Sequence, residues 1–325
     1  MNRMVVLGTG SALPAKVLSN ADLEKMVDTS DEWITTRTGI KNRRIAVQGE
    51  ETSKLATLAA GRALEMAKLS PDEIDMIIVG TITPDMGMPS CACLVQKELG
   101  ATRAFALDIN AACSGFVFCL DVADKYIKAD PDMKILVVGA ETLSSRVNWE
   151  DRNTCVLFGD GAGACLVTGT TEHRGMLASK LFSDGSLYKL LYMDNVPSMN
   201  KNLASQDNDG SYIKMAGRDV FKYAVRSMDM AIMNVLDQVQ VSVDDIALFI
   251  PHQANIRILK SLGERLGIAS EKVYINLDKY GNTSAASIPI ALDEANREGR
   301  INAGDLVLLC AFGGGFTWGA TLFRW

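Results

Sequence analysis

The chain has 325 residues, of which 48% are hydrophobic and 22% are charged, and its formal net charge is -6. This length predicts about two domains with a sizeable core, and the negative charge argues against a nucleic-acid-binding protein. Seven scattered cysteines and an N-terminus without a signal-peptide pattern lead us to expect a reducing, cytoplasmic location. No apolar run is long enough to span a membrane, so we expect no membrane association.

Along the first half, hydrophobic runs predict strands at 75–79, 104–107 and 134–140, and a largely apolar helix is predicted over 116–128. Cys113 lies between the second strand and this helix. A thiol reacts as the thiolate, and the free N–H groups and positive dipole end of a helix N-terminus lower the pKa of a cysteine. The alternative is a small core residue, which is the usual fate of a free cysteine.

The second half of the chain repeats the first. The segment 242–246 shares the pattern Ser-x-Asp-acidic-Ile with 70–74, and Glu-Arg-Leu-Gly at 264–267 corresponds to Lys-Glu-Leu-Gly at 97–100. Two copies of this length do not make a solenoid, whose repeats are shorter and more numerous. The pattern therefore predicts two similar α/β halves.

We place the N-terminal half at 1–172, where it carries the cysteine, and the C-terminal half at 173–325. The break falls near 168–174, where polar and charged residues replace a strand pattern.

Two further polar turns follow predicted strands of the second half. His252 comes after a strand at 246–250 and before a helix predicted over 254–266, and Asn282 follows a strand predicted at 273–277. Sites in open α/β sheets form at strand ends, although Gly-Asn-Thr-Ser alone is most often a turn with an N-cap. If the halves pack face to face, Cys113, His252 and Asn282 meet in one active site.

These residues resemble those of beta-ketoacyl-acyl-carrier-protein synthase III. The similar motifs are Ala-Cys-Ser-Gly-Phe at 112–116, Pro-His-Gln-Ala-Asn at 251–255, Gly-Asn-Thr-Ser-Ala-Ala-Ser at 281–287 and Ala-Phe-Gly-Gly-Gly-Phe-Thr-Trp-Gly at 311–319, with an N-terminal signature at 28–40. The resemblance covers essentially the whole chain. It implies a thiolase-like α/β fold, in which two duplicated halves form five alternating layers (αβαβα), and a homodimer.

The resemblance also implies an acyltransferase that starts fatty-acid biosynthesis without a cofactor or a metal. It would condense a short-chain acyl-CoA with malonyl-acyl-carrier-protein, releasing CO2 and CoA and giving 3-ketoacyl-acyl-carrier-protein. Cys113 would carry the acyl group, while His252 and Asn282 would donate hydrogen bonds to the thioester oxygen as the enolate forms. Backbone N–H groups of Cys113 and Gly314 would form an oxyanion hole. Phe312 would shield the site from water, with a core aromatic as the alternative.

Binding residues carry over from the same resemblance. Thr29 and Glu32 are predicted to form a capping box that presents Trp33 on a short helix ended by Gly39. Trp33 and Arg152 would hold the CoA adenine between them by stacking, unless Trp33 is only structural. The other residues that match those of the CoA and pantetheine path are Thr29, Arg37, Gly217, Phe221, Ala254 and Asn255.

A basic patch is expected to receive the acidic carrier protein, with an ordinary solvated face as the alternative. Its predicted members are Lys222, Arg226, Arg257, Lys260 and Arg265.

Met88 departs from the family, which commonly has phenylalanine on a loop that closes the acyl pocket of the other subunit. Methionine is flexible and fills irregular space, so we expect a starter preference broader than acetyl.

Three other functions remain open. A chalcone-synthase-like polyketide condensing enzyme shares Cys/His/Asn, and a non-catalytic binding module for acyl-CoA or carrier protein would keep the fold. The third is a thioester hydrolase, which product analysis would distinguish. The intact Cys113, His252 and Asn282 favour catalysis, because a binding module needs none of them.

Overall fold

The computed structural model describes residues 2–194 and 212–325. Its strands are β1 Arg3–Ala12, β2 Val17–Ser19, β3 Asn42–Arg44, β4 Met76–Gly80, β5 Phe105–Ile109, β6 Ile135–Thr142, β7 Asp160–Thr170, β8 Gly175–Ser183, β9 Leu191–Met193, β10 Ile213–Met215, β11 Ile246–Pro251, β12 Leu306–Gly313 and β13 Thr317–Arg324. Its α-helices are α1 Asn20–Leu23, α2 Asp31–Thr38, α3 Thr52–Ala67, α4 Cys91–Leu99, α5 Gly115–Ala129, α6 Gly217–Val239, α7 Ile256–Leu266, α8 Leu277–Tyr280 and α9 Ser287–Arg297.

Two mixed sheets of matching topology form the framework. The first has the order β1-β7-β6-β4-β5, with β4, β5 and β6 parallel and β7 antiparallel to both of its neighbours. The second has the order β8-β13-β12-β11, with β11 parallel to β12 and β13 antiparallel to both of its neighbours. A parallel bridge from Phe249 to Val273 takes the place that β5 has in the first sheet. The predicted boundary between 172 and 173 falls in the connector between β7 and β8.

The backbone repeats between the halves down to single residues. Lys68 and Gln240 end α3 and α6 with positive φ angles of 57° and 55°. Short 3-10 turns precede α5 and α9, and they begin at Ala112 and Ser284 with φ angles of 46° and 49°. A positive φ is uncommon for residues other than glycine, so its recurrence at matching positions marks a duplicated fold.

Period-two alternation of apolar side chains places the sheets between helices. Met76 and Ile78 of β4 face a central core that they share with α5 and α9, whereas Ile77 and Val79 face an outer core with α3 and α4. The outer face of the second sheet packs on α6 and α7. The order helix, sheet, helix, sheet, helix confirms the five-layer arrangement.

Glycines let the central layer approach the sheets closely. A Cβ atom at Gly139 of β6 would lie 2.2 Å from the carbonyl oxygen of Ala285, far inside van der Waals contact. A Cβ at Gly313 would lie 2.6 Å from the backbone nitrogen of Cys113. These contacts press the turns before α5 and α9 against the carboxyl ends of the strands. In the described ranges, no helix combines the length and apolar character that crossing a membrane requires.

Candidate active site

A cavity of about 1170 Å³ lies between the halves, at the carboxyl ends of the parallel strands. Cys113, His252 and Asn282 all line it, so the structure brings the three predicted catalytic residues together. The other predicted residues that line it are Arg37, Trp33, Gly217, Phe221, Ala254, Asn255, Arg257, Phe312 and Gly314. The predicted binding residues outside its lining are Thr29, Met88, Arg152, Lys222, Arg226, Lys260 and Arg265.

Cys113 lies in the 3-10 turn Ala112–Ser114, directly before α5. The predicted position at a helix N-terminus is therefore present. Burial nevertheless raises the pKa of the thiol to about 12, helped by the charge of Glu141 and opposed by a hydrogen bond with Ser284. Desolvation is the largest of these influences, and it acts against the lowered pKa that a helix N-terminus favours.

His252 is buried at the end of β11, and its Nδ1 lies 2.7 Å from Oγ of Ser287. The backbone N–H of Gln253 donates to the same Oγ at 3.3 Å. We assign the Ser287 hydroxyl as the donor to Nδ1 of His252, because this gives the hydroxyl hydrogen an acceptor while Oγ accepts the Gln253 N–H; Nε2 is then the protonated nitrogen. Burial lowers the pKa of His252 to about 3. The imidazole is thus a neutral hydrogen-bond donor.

Hydrogen bonds fix both the backbone and the side chain of Asn282. Its backbone N–H donates to the Leu157 carbonyl at 2.8 Å, and its carbonyl accepts from the Gly159 N–H at 3.0 Å. Its Oδ1 accepts from the Ser284 N–H at 2.8 Å, so the side chain does stabilise the local turn. Since Oδ1 is occupied, Nδ2 is the group that remains to donate within the cavity.

The triple-glycine turn packs against the turn that carries the nucleophile. Thr317 donates through Oγ1 to the Ala111 carbonyl at 2.8 Å, and Ser114 donates through Oγ to the Thr317 carbonyl at 2.9 Å. Gly314 lines the cavity beside this junction. The predicted oxyanion hole from Cys113 and Gly314 is compatible with this packing.

Phe312 combines its two proposed roles. It is buried, its ring lies 4.7 Å from that of Phe316, and it also lines the cavity. A core aromatic and a hydrophobic wall of the site are therefore the same residue.

Two arginines lie over the ring of Trp33, one of the residues predicted to stack on the CoA adenine. Trp33 is partly buried, and the guanidinium groups of Arg37 and Arg152 lie 4.7 and 5.3 Å from its ring centroid. Arg152 also donates to the Asp28 carbonyl at 3.0 Å. An adenine between Trp33 and Arg152 would need roughly 3.5 Å on each face, so the predicted stacking requires a wider separation than the structure shows.

The predicted capping box at Thr29 and Glu32 is wrong. Ser30 is the N-cap of α2, and its side chain accepts the Trp33 N–H at 3.1 Å, whereas Thr29 Oγ1 is buried and has no hydrogen-bond partner among the residues that the structure describes. The predicted end of the helix is confirmed, because Gly39 follows α2 with a φ of 79°.

The residues of the predicted carrier-protein patch differ in their position, exposure and ion pairing. Arg257 lies at the cavity mouth, with its guanidinium 5.9 Å from the Phe221 ring centroid. Arg265 is bound to Asp229 at 2.5 Å, which offsets its charge. Lys222 and Lys260 are exposed on α6 and α7, as is Arg226.

The structure shows surroundings of Asn255 and Met88 that the sequence did not predict. Asn255 is the N-cap of α7 and accepts the Arg257 N–H at 2.8 Å, so its Oδ1 has a structural role. Met88 is 86% exposed, on the loop before α4.

Sequence reasoning missed four residues that shape the site. Ser284 and Ser287 lie inside a motif already singled out, where only the asparagine was given a role, and Arg218 lines the cavity mouth in the first turn of α6. The sequence around Glu141 on β6 gives no signal of a functional role, because a single carboxylate after a hydrophobic run is typical of an ordinary strand end.

A cysteine at a helix start, a neutral histidine and an amide donor in one cavity of a duplicated five-layer fold define a thiolase-fold condensing enzyme. Models of 3-oxoacyl-acyl-carrier-protein synthase III match residues 107–185, and those of its C-terminal domain match residues 236–325.

The chain is 57% identical over 322 residues to the beta-ketoacyl-acyl-carrier-protein synthase III of Desulfotalea psychrophila, with 99% of each chain covered. The crystal structure of 3-oxoacyl-acyl-carrier-protein synthase III from Aquifex aeolicus is 53% identical, with a TM-score of 0.93 and 100% of both chains covered. The Thermus thermophilus structure is 45% identical, with a TM-score of 0.92 and 98% of both covered. The chain belongs to the beta-ketoacyl-acyl-carrier-protein synthase III family. It is an acyltransferase of the condensing type, which confirms the predicted enzyme class and fold.

Proposed function

We propose that the chain transfers a short acyl group from acyl-CoA to Cys113 and condenses it with malonyl-acyl-carrier-protein. The observation that carries this proposal is the convergence of Cys113, neutral His252 and the Asn282 amide on one cavity. Membership of the family supports it over a chalcone-synthase-like enzyme and over a binding module.

In the first half-reaction, the thiolate of Cys113 attacks the acyl thioester and CoA leaves. The backbone N–H groups of Cys113 and Gly314 stabilise the oxyanion that forms on the acyl carbonyl. The product is an acyl-enzyme whose thioester lies beside the apolar wall formed by Phe312.

In the second half-reaction, malonyl-acyl-carrier-protein replaces CoA and loses CO2. Negative charge then develops on the malonyl thioester oxygen. Nε2 of His252 and Nδ2 of Asn282 donate to that oxygen, and buried donors of this kind are most effective where charge appears in the transition state. The enolate carbon attacks the acyl carbonyl and releases Cys113.

The shape and charge of the cavity suit a CoA ester. Three arginines, Arg37, Arg218 and Arg257, line it near its mouth and suit phosphate groups. A Cβ at Gly217 would meet only the end of the Met215 side chain, at 3.7 Å, so the backbone there is open to a pantetheine arm.

The test is product analysis with purified protein, acetyl-CoA and malonyl-acyl-carrier-protein, with Cys113→Ser as the matched control. We expect equal amounts of CoA, CO2 and 3-ketoacyl-acyl-carrier-protein, all lost in the variant. Turnover with malonyl-CoA in place of the carrier-bound extender would favour the polyketide alternative. Free carboxylic acid as the only product would indicate a thioester hydrolase, and binding without turnover would indicate a binding module.

We also propose that the protein is a cytoplasmic homodimer. The strand β5 is the edge of its sheet, and Phe105 on it is 44% exposed and contacts Tyr126 with ring centroids 5.7 Å apart. An open edge with exposed aromatics invites pairing, and twofold symmetry makes two copies of one strand antiparallel. Exposed Met88 would then reach the partner's acyl pocket. A panel of acyl-CoA starters tests whether it broadens the preference beyond acetyl.

A further inference from the structure

A buried carboxylate without a role in the proposed reaction lies near the nucleophile. Glu141 is fully buried on β6, and its hydrogen-bond donors are all neutral: the hydroxyls of Thr81, Thr83 and Ser284 and the N–H of Ile82. The Thr83 hydroxyl lies 2.5 Å from Oε2, and Ser284 Oγ lies 3.1 Å from Oε1. A buried carboxylate is costly unless its partners compensate it, so this position calls for an explanation.

Ser284 lies between this carboxylate and the cavity of the predicted nucleophile. Ser284 and Cys113 line the same cavity, the N–H of Ser284 is fixed by Asn282 Oδ1 at 2.8 Å, and its hydroxyl donates to Glu141. The Ser284 hydroxyl is also among the groups that lower the pKa of the Cys113 thiol. One rotatable O–H group therefore faces the cavity that holds Cys113 and is bonded to a buried carboxylate.

His252 is poorly suited to take the thiol proton. Its Nδ1 is occupied by Ser287, and burial keeps the imidazole neutral with a pKa of about 3. The pKa of Glu141 is raised by burial to about 7, which gives it a far higher proton affinity.

We propose that Ser284 and Glu141 form a proton path for Cys113, in which Glu141 holds the thiol proton while the thiolate attacks the acyl thioester. In this path Ser284 takes the thiol proton directly and would be a further catalytic residue, whereas Glu141 acts through Ser284 and is a positioning residue. This inference rests on the proposed function.

The proton balance closes within the acylation step. The S–H proton of Cys113 moves to Ser284 Oγ as the serine proton moves to Glu141 Oε1. The new bond forms between Cys113 sulfur and the acyl carbon, and the bond from that carbon to the CoA sulfur breaks. The proton then returns through the serine hydroxyl to the departing sulfur, giving neutral CoA thiol.

Among the described residues, the titratable groups whose pKa values Glu141 raises are two thiols. Cys113 comes from the turn before α5, and Cys91 comes from the start of α4, where Asp85 and Asp108 also face it. Burial raises the pKa of Cys91 above its ordinary range. Glu141 is thus the group whose titration falls near neutral pH in this cluster.

The test is single-turnover acylation of Cys113 by acetyl-CoA, followed by rapid quenching and intact-protein mass spectrometry between about pH 5.5 and 9. For the wild-type protein we expect a rate that rises with pH and levels off above about 7, the pKa of Glu141. For Glu141→Gln and Ser284→Ala we expect a rate about 10²-fold lower near neutrality. Both variants should lose the level region and keep rising with pH, because only free thiolate then reacts.

A second readout separates proton transfer from a structural effect. Acyl-enzyme of each variant, formed slowly at high pH, is transferred to neutral pH and discharged with malonyl-acyl-carrier-protein. We expect discharge at the wild-type rate, whereas a distorted site would slow both half-reactions. The matched control is Ser145→Ala, at an exposed serine four residues after Glu141, which should keep the wild-type profile.

Acylation in both variants at the wild-type rate and with the wild-type pH profile would overturn the proton path and leave the proposed function intact. A wild-type protein that never acylates would overturn both. If Glu141→Gln does not fold, Ser284→Ala decides, because the matching position in the first half is Ala112 with the same positive φ.

Discussion

Burial sets the protonation states of Cys113 and His252, the two titratable groups among the three predicted catalytic residues. His252 is kept neutral and Cys113 is kept as a thiol, while Asn282 needs no titration to donate. The two donors are therefore ready before substrate arrives, whereas the nucleophile has to lose a proton. We therefore place the two donors in the decarboxylation step of the proposed reaction. Deprotonation of the Cys113 thiol is a separate step.

Asn282→Ala separates the two half-reactions. The variant removes one of two donors to the enolate oxygen, so we expect decarboxylation and condensation to fall by about 10²–10³-fold. Acylation of Cys113 should stay largely intact, because the amide does not take part in it. The rates are measured as adduct formation with acetyl-CoA and as adduct discharge with malonyl-acyl-carrier-protein. Failure to form the adduct would show that Asn282 has another role.

The neutral state of His252 also makes stability depend on pH. The folded-state pKa of about 3 lies below the ordinary value of 6.5, so the unfolded chain binds a proton between these values that the folded chain does not. Stability from this group is complete above about 6.5 and is lost as the pH falls toward 3. Between pH 7 and pH 5, the free energy of unfolding of the wild-type protein should fall by roughly 2 kcal/mol more than that of the His252→Gln variant. Urea denaturation at both pH values measures this, and parallel losses in the two proteins would contradict it.

For single residues, the sequence predicted the polar motifs of the site but not the buried side chains that hydrogen-bond to them. Cys113, His252 and Asn282 stand out because each follows a hydrophobic strand with a polar turn. The N-cap was misplaced by one residue because Thr29 and Ser30 are adjacent and both are good caps. Glu141 and Ser287 act through contacts between distant parts of the chain, which local sequence does not record.

Among the elements, the predicted strand at 273–277 is reduced to a single bridge at Val273. The side chain of Gln253 donates to the Tyr274 carbonyl at 3.1 Å and accepts the Asn276 N–H at 3.0 Å. A buried side chain thus satisfies the backbone groups that a neighbouring strand would otherwise bind, and α8 begins directly afterwards. Further on, the 3-10 turn Ser284–Ala286 leads directly into α9, which starts at Ser287.

The turn before α9 depends on the absence of a side chain at Gly139. Gly139→Ala places a Cβ 2.2 Å from the Ala285 carbonyl oxygen, so the turn with Ser284 and Asn282 must shift. We expect a loss of stability of about 1–3 kcal/mol and a marked loss of activity.

Gly61→Ala is the matched control for this glycine. Gly61 lies within α3, and a Cβ there meets nothing within 4 Å, so the change should raise stability by about 0.5–1 kcal/mol. Denaturant unfolding and condensation assays of both variants test the pair. A Gly139→Ala protein as stable and active as Gly61→Ala would contradict the close packing.

For the whole molecule, duplication was visible in the sequence as repeated segments before matching strands. Their packing in five layers was implied by the family resemblance, because repeats alone do not state which faces meet. Ala112 and Cys113 in the first half correspond to Ser284 and Ala285 in the second. One turn therefore carries the predicted nucleophile, and its counterpart carries a hydroxyl that lines the same cavity.

The homodimer is tested at the β5 edge. Phe105→Lys places a charge where we propose that two copies pair, and it should shift the mass measured by light scattering from twice 35.1 kDa toward the monomer. Leu58→Lys, at an exposed leucine of α3, is the matched control and should leave the dimer intact. A wild-type monomer, or a Phe105→Lys protein that remains dimeric, would contradict pairing through β5.

The central claim is that one cysteine carries the acyl group between two half-reactions. Intact-protein mass spectrometry after mixing with acetyl-CoA, and again after adding malonyl-acyl-carrier-protein, tests it most directly. We predict one acetyl adduct that is absent from Cys113→Ser and that disappears as 3-ketoacyl-acyl-carrier-protein forms. An adduct that persists in Cys113→Ser, or condensation product formed without Cys113, would contradict the account.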